Sequence, residues 1–152
     1  DAVMGDEPFA SRLQADGRVF FLAHLADPAT SKKIPGANFL HATLEARGDT
    51  LLKEPKKVAA MVRMLKKSLH WIASHSPREL VDKLAITDAD ERRALLLALE
   101  KYPHAFSKDG KFSTAQLKET QLFFHTTSRG NAPAQALAIE SIIDDRWVGR
   151  KK

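Results

Sequence analysis

The sequence predicts a mixed α/β fold, with two or three strands at the front and five or six helices behind. Three observations predict it. The first 46 residues hold short runs that are aromatic, β-branched or alternating, broken by Gly and Pro. From Gly48 onward apolar residues recur every three to four positions. Helix-start signatures then punctuate the chain at regular intervals.

Each element follows from local chemistry. Asp1-Ala2-Val3-Met4-Gly5 reads as the tail of a short strand entering a glycine turn. Asp6 or Glu7 begins a short helix with Pro8 in its first turn, where a missing N–H costs nothing. Phe9, Ala10 and Leu13 give that helix an apolar side and Gly17 ends it. Arg18–Leu25, aromatic and β-branched at its start, is strand-like, Asp27–Gly36 is a loop, and Asn38–Ala46 alternates Leu40, Ala42 and Leu44 with His41, Thr43 and Glu45, a strand with one buried face. Asp49 is expected to cap a short helix ending near Glu54.

Pro55 starts a long helix whose Val58, Met61, Val62, Leu65, Leu69 and Ile72 form an inward stripe. Ser76-Pro77-Arg78-Glu79 is a capping box opening a helix with Leu80, Val81 and Leu84. Thr87-Asp88-Ala89-Asp90 caps the next, with Leu95, Leu96, Leu99 and Tyr102 inward and Pro103 as its stop. Asp109-Gly110 marks a turn, Ser113 with Gln116 a second capping box, and Gly130 the end of that helix. A last helix is expected over Ile139–Val148.

Composition bounds the function. The 152 residues fit one domain of the usual roughly 100–200. The longest apolar runs, such as Ala94–Leu99, fall far short of the about 20 residues a membrane helix needs. Without cysteine there is no disulfide, zinc-thiolate site, iron–sulfur cluster or thiol nucleophile in these residues. Net charge is +5, with both signs mixed along the chain, which permits an acidic partner without requiring one. The chain opens at Asp1 with no initiator Met, tag or signal peptide, which points to processing or truncation. Two extended segments make no protected sheet alone, a second sign of missing partners.

The six histidines give no metal pair: His70 and His75 are five apart and diverge by about 140°. No G-x-S-x-G elbow or glycine-rich phosphate loop occurs. Lys53, Lys56, Lys57, Arg63, Lys66 and Lys67 form a basic cluster opposite the Val58/Leu65 stripe. It has neither stacking platforms nor a helix-turn-helix signature, so the solvated face of an amphipathic helix is the better reading, with Trp71 as packing at its edge. At the front, a strand end, Gly5 and free helix N–H groups beside Asp6 and Glu7 make either a polar-ligand site or a plain strand-to-helix turn.

The order of motifs resembles a known family. Asp1-Ala2 with Glu7-Pro8 resembles the "D-A-x-x-x-x-E-P" segment of nitrate/sulfonate/taurine-type (NitT/TauT) periplasmic solute-binding proteins of ABC importers, which are akin to thiamine-pyrimidine-precursor binders. Arg18–Leu25 with Asp27, Gly36–Asp49, Lys53-Glu54-Pro55, Trp71-Ile72 with Pro77, Ser107–Lys111 and Asp144-Asp145-Arg146-Trp147 are similar to further family segments in register. The resemblance implies a type II periplasmic-binding-protein fold, here a helix-rich C-terminal portion. Residues 1–26 would end the second lobe and make the return crossing, and residues 27–152 would complete the first lobe with bracing helices. The N-terminal half would lie before Asp1.

The resemblance further implies a non-enzymatic, extracytoplasmic protein that binds a small polar organic solute between two lobes and delivers it to ABC permease subunits. It implies no cofactor, metal or nucleic acid. Gly5, Asp6, Glu7 and Pro8 would face the cleft, and His41 would be a ligand contact near the return crossing. Asp6 departs from the aromatic residue, often Trp, that many members carry; a carboxylate there repels nitrate or sulfonate unless paired. That leaves a cationic or heterocyclic solute, or arginines in the other half. The alternatives are an enzyme resembling the thiamine-pyrimidine synthases, whose cysteine-rich metal motif this segment lacks, and a basic helical module binding nucleic acid or protein.

Overall fold

A computed structural model describes residues 2–6, 9–25 and 27–151. Among them lie eight α-helices, one 3-10 turn and a two-stranded parallel sheet. The chain is thus helix-rich with a minimal sheet, compatible with the α/β class.

The helices begin where side chains cap them. In α1 (Phe9–Ala15) the first backbone bond runs from Ala10 N–H to the Asp6 carbonyl at 3.0 Å. The predicted Glu7-Pro8 start lies outside the described residues. The single turn α2 (Pro28–Ser31) is held by Asp27, whose carboxylate accepts from Ala29 N–H at 3.0 Å and Thr30 Oγ1 at 2.8 Å. In α3 (Gly48–Lys53) the expected cap moves: Arg47 is the N-cap, and Asp49 sits in the first turn, paired with Arg47 and Lys53.

Helix α4 (Pro55–Ser74) runs 20 residues from the predicted proline. Its stripe is only partly covered: Val58 is buried, but Met61 and Leu65 remain 43% and 38% exposed. Helix α5 (Pro77–Lys83) carries the full Ser76/Glu79 capping box, and α6 (Ala89–Lys101) is capped by Asp88 through Glu91 N–H at 2.7 Å. Between them Ala85 adopts φ +52, a left-handed C-terminal position usually held by glycine. Val81, Ala94 and Ala98 are buried where α5 and α6 meet, while the leucines expected inward (Leu95, Leu96, Leu99) are only half-covered.

The second packing centre is α7 (Thr114–Thr127), opened by the predicted Ser113/Gln116 capping box. Leu117 and Thr120 on α7, and Ile139 in the 3-10 turn Ile139–Ile142, are buried. Gln121 of α7 clamps the return past α8 (Ala132–Gln135), donating to the Leu137 carbonyl at 2.9 Å and accepting from Ile139 N–H at 2.7 Å. The sheet pairs β1 (Phe112–Ser113) with β2 (Arg150–Lys151), Phe112 opposite Arg150. Arg150 fastens this end to Glu140 and Asp145.

Four expectations are corrected. The front segments 2–6, 18–25 and 38–46 form no strand. A strand needs a neighbouring backbone, and among the described residues no backbone–backbone hydrogen bond involves 18–23 or 41–46. The face of Leu40, Ala42 and Leu44 stays open, with Leu44 47% exposed. The last helix shrinks to one 3-10 turn: the Asp144 carboxylate accepts from Arg146 N–H at 3.3 Å in a local turn, and the Asp145 carboxylate is drawn to Arg150.

The surface is large for the mass. The chain exposes 11507 Å², against about 7,700 Å² from the surface–mass scaling of compact monomers. Phe20, Leu22, Leu52 and Met4 are each at least 79% exposed. No helix among the described residues is long and apolar enough to cross a membrane.

Candidate functional site

The best-built site is where the segment after α2 crosses α7. Gly36 makes the crossing possible. Its φ is +80, and a Cβ there would lie 3.0 Å from both the Cα and the N of Phe123, inside contact distance of helix backbone. The close approach lets Gly36 N–H donate to Glu119 Oε2 at 2.9 Å and Leu40 N–H to Thr120 Oγ1 at 3.0 Å. Thr120 Oγ1 in turn donates to the Gln116 carbonyl at 2.8 Å, so its orientation is set.

Above these bonds the Phe39 ring stacks on Phe123 with centroids 3.9 Å apart and an 8° interplanar angle. His41, a predicted ligand contact, lies on the Phe39 ring at 4.0 Å and is exposed to solvent. Among the described residues, the Phe39 ring is what positions the imidazole. Beside the crossing, a groove of about 360 Å³ opens between Lys32, Ile34 and Asn38 on one wall and Ala115, Gln116 and Glu119 on the other. A carboxylate, two amides and a lysine converge on it, which suits a small polar ligand with hydrogen-bond donors.

The front residues take a different place. Gly5 and Asp6 are exposed, and Gly5 lies against the Phe9 ring, where a Cβ would meet Phe9 Cδ1 at 2.7 Å. That contact supplies a packing reason for this glycine. Glu7 and Pro8 lie outside the described residues. No hydrogen bond, ion pair or ring contact joins Gly5 or Asp6 to His41, so the described residues do not assemble these predicted positions into one pocket.

Two features escaped the sequence. His24 Nε2 meets Tyr102 Oη, with Phe21 edge-on to His24 and Lys101 Nζ over the Phe21 and Tyr102 rings, which ties the extended segment 21–24 to the end of α6. Trp71 stacks with His75 at 4.2 Å and faces an open groove instead of serving only as packing. No group of three or more His, Cys, Asp or Glu among the described residues could hold a metal ion. No protein-family model, curated protein or solved structure matches the chain.

Proposed function

We propose that this chain belongs to an extracytoplasmic solute-binding protein of an ABC importer, and that the groove beside Asn38 and Glu119 is its contribution to the solute cleft. The type II periplasmic-binding-protein fold belongs to the same proposal. The observation that carries it is the packing at Gly36: the segment that follows the expected return crossing docks on α7 through two backbone N–H groups and leaves a polar groove beside it. The unpaired strand-patterned segments 18–23 and 41–46 and the large apolar surface support a further polypeptide that adds strands and the opposite wall. Glu119 and Lys32 line the groove together, so its charge selects neither a cation nor an anion, and a heterocyclic solute held through the Asn38 and Gln116 amides suits it. Closure of the two walls on solute would present the surface that the permease engages.

The test is thermal. The protein as its host produces it is melted with sulfonates, nitrate, aromatic acids, pyrimidines and cationic heterocycles. A rise of several degrees with one class, abolished by Glu119→Gln, is expected. No shift with any class refutes the proposal; bound iron with product formation would instead assign a thiamine-pyrimidine-synthase-like enzyme.

A further inference from the structure

A second groove, where the turn 107–111 meets α4, is lined by Lys66, Lys67, His70, Trp71, Lys108 and Asp109 and has a volume of about 520 Å³. The turn 107–111 builds it by packing on α4: a Cβ on Gly110 would touch Leu69 Cδ1 at 3.3 Å. This brings Lys108 opposite two lysines some forty positions earlier. Among the described residues, no carboxylate lies within ion-pair distance of Lys66, Lys67 or Lys108. Asp109 is the one carboxylate in the lining, and its Oδ1 is already taken by Lys111 N–H at 3.1 Å and Ser107 Oγ at 3.4 Å. Three ammonium groups against one engaged carboxylate leave the groove positive.

The floor is aromatic and held in place. His75 stacks on the Trp71 indole at 4.2 Å, and its Nδ1 lies 2.7 Å from the Trp71 carbonyl. An indole fixed from one side offers a ready platform for a flat ring, worth roughly 1–3 kcal/mol of stacking for a nucleobase.

We infer that this groove binds a small aromatic phosphate of mononucleotide size, its ring against Trp71 and its phosphate among Lys66, Lys67 and Lys108. The proposal is independent of the solute cleft on α7. It is tested by titrating the full chain with AMP at low salt, following Trp emission in a Trp147→Phe background so that the signal belongs to Trp71. Calorimetry on the unaltered protein repeats the titration. Saturable quenching is expected, weakened roughly threefold to tenfold by each of Lys66→Gln, Lys67→Gln and Lys108→Gln. Adenosine alone should bind far more weakly, and inorganic phosphate should compete. No binding at millimolar AMP, or equal binding by the triple lysine variant with an unchanged circular dichroism spectrum, overturns the inference. So does a single-stranded oligonucleotide that binds much more tightly than AMP, since that assigns the groove to nucleic acid.

Discussion

Gly36→Ala tests the crossing that builds the candidate site. The added methyl meets two penalties. A left-handed backbone costs an alanine about 1–2 kcal/mol, and a Cβ 3.0 Å from the Phe123 backbone needs helix or segment to shift; overpacking of that kind costs about 1–3 kcal/mol. The chain can instead lift off α7. It then loses the Glu119 bond at 2.9 Å, the Thr120 bond at 3.0 Å and the Phe39–Phe123 stack, together about 2–5 kcal/mol for half-buried groups. Either route gives about 2–5 kcal/mol, a large share of the usual 5–15 kcal/mol. Urea denaturation followed by circular dichroism measures it, and His41 ring-proton shifts report whether the stack survives. Gly17→Ala is the control, because Gly17 has φ +68 but nothing within 4 Å of its Cβ position; it should cost only about 1 kcal/mol of backbone strain. Equal losses at the two glycines, with His41 resonances unmoved, would refute the contact argument.

Further outcomes follow from the same structure. Leu117→Ala, at a side chain 2% exposed, should cost about 2–4 kcal/mol in urea denaturation and loosen the Ile139 turn in hydrogen exchange. Ala85→Gly should stabilise by about 1 kcal/mol, read as a higher melting temperature, because φ +52 carries no penalty for glycine. Tyr102→Phe should cost about 1 kcal/mol and speed amide exchange in residues 21–24 by removing the hydroxyl that meets His24. Ser76 N–H and Oγ hold the Glu79 carboxyl below its ordinary value, and Ala29 N–H, with Thr30 Oγ1, does the same for Asp27. A lowered folded value gives stability that is present above the unfolded value near pH 4 and lost as pH falls through the folded one. Melting temperature should therefore drop on acidification below about pH 4.5, and Glu79→Gln should flatten part of that drop.

Local chemistry was legible without coordinates. The Ser76/Glu79 and Ser113/Gln116 boxes, the Asp88 cap and the proline start of α4 all occur where the residues place them. Each is decided within three or four residues, so neighbours in sequence suffice. The cap at Asp49 failed because its side chain is drawn to Arg47 and Lys53. The strand pattern at 18–25 rests on aromatic and β-branched content and that at 38–46 on alternation; both state a preference for a half-buried surface but supply no partner backbone.

The candidate site shows the same division. His41 is named in the sequence only through the family resemblance, and Gly36 stands there as part of a loop with no sign of its close approach to α7. Glu119, Thr120 and Phe123, which hold that segment, were not identified, for they lie about eighty positions away. The sequence alone determined where most helices start, how charge is distributed, and that no thiol chemistry is present in these residues. Tertiary structure alone decided which surfaces meet: Gly36 on α7, His24 on Tyr102, Lys108 across α4, and Phe112 beside Arg150. Such contacts depend on the cost of closing long loops against the packing they gain, and that balance is a property of the whole fold.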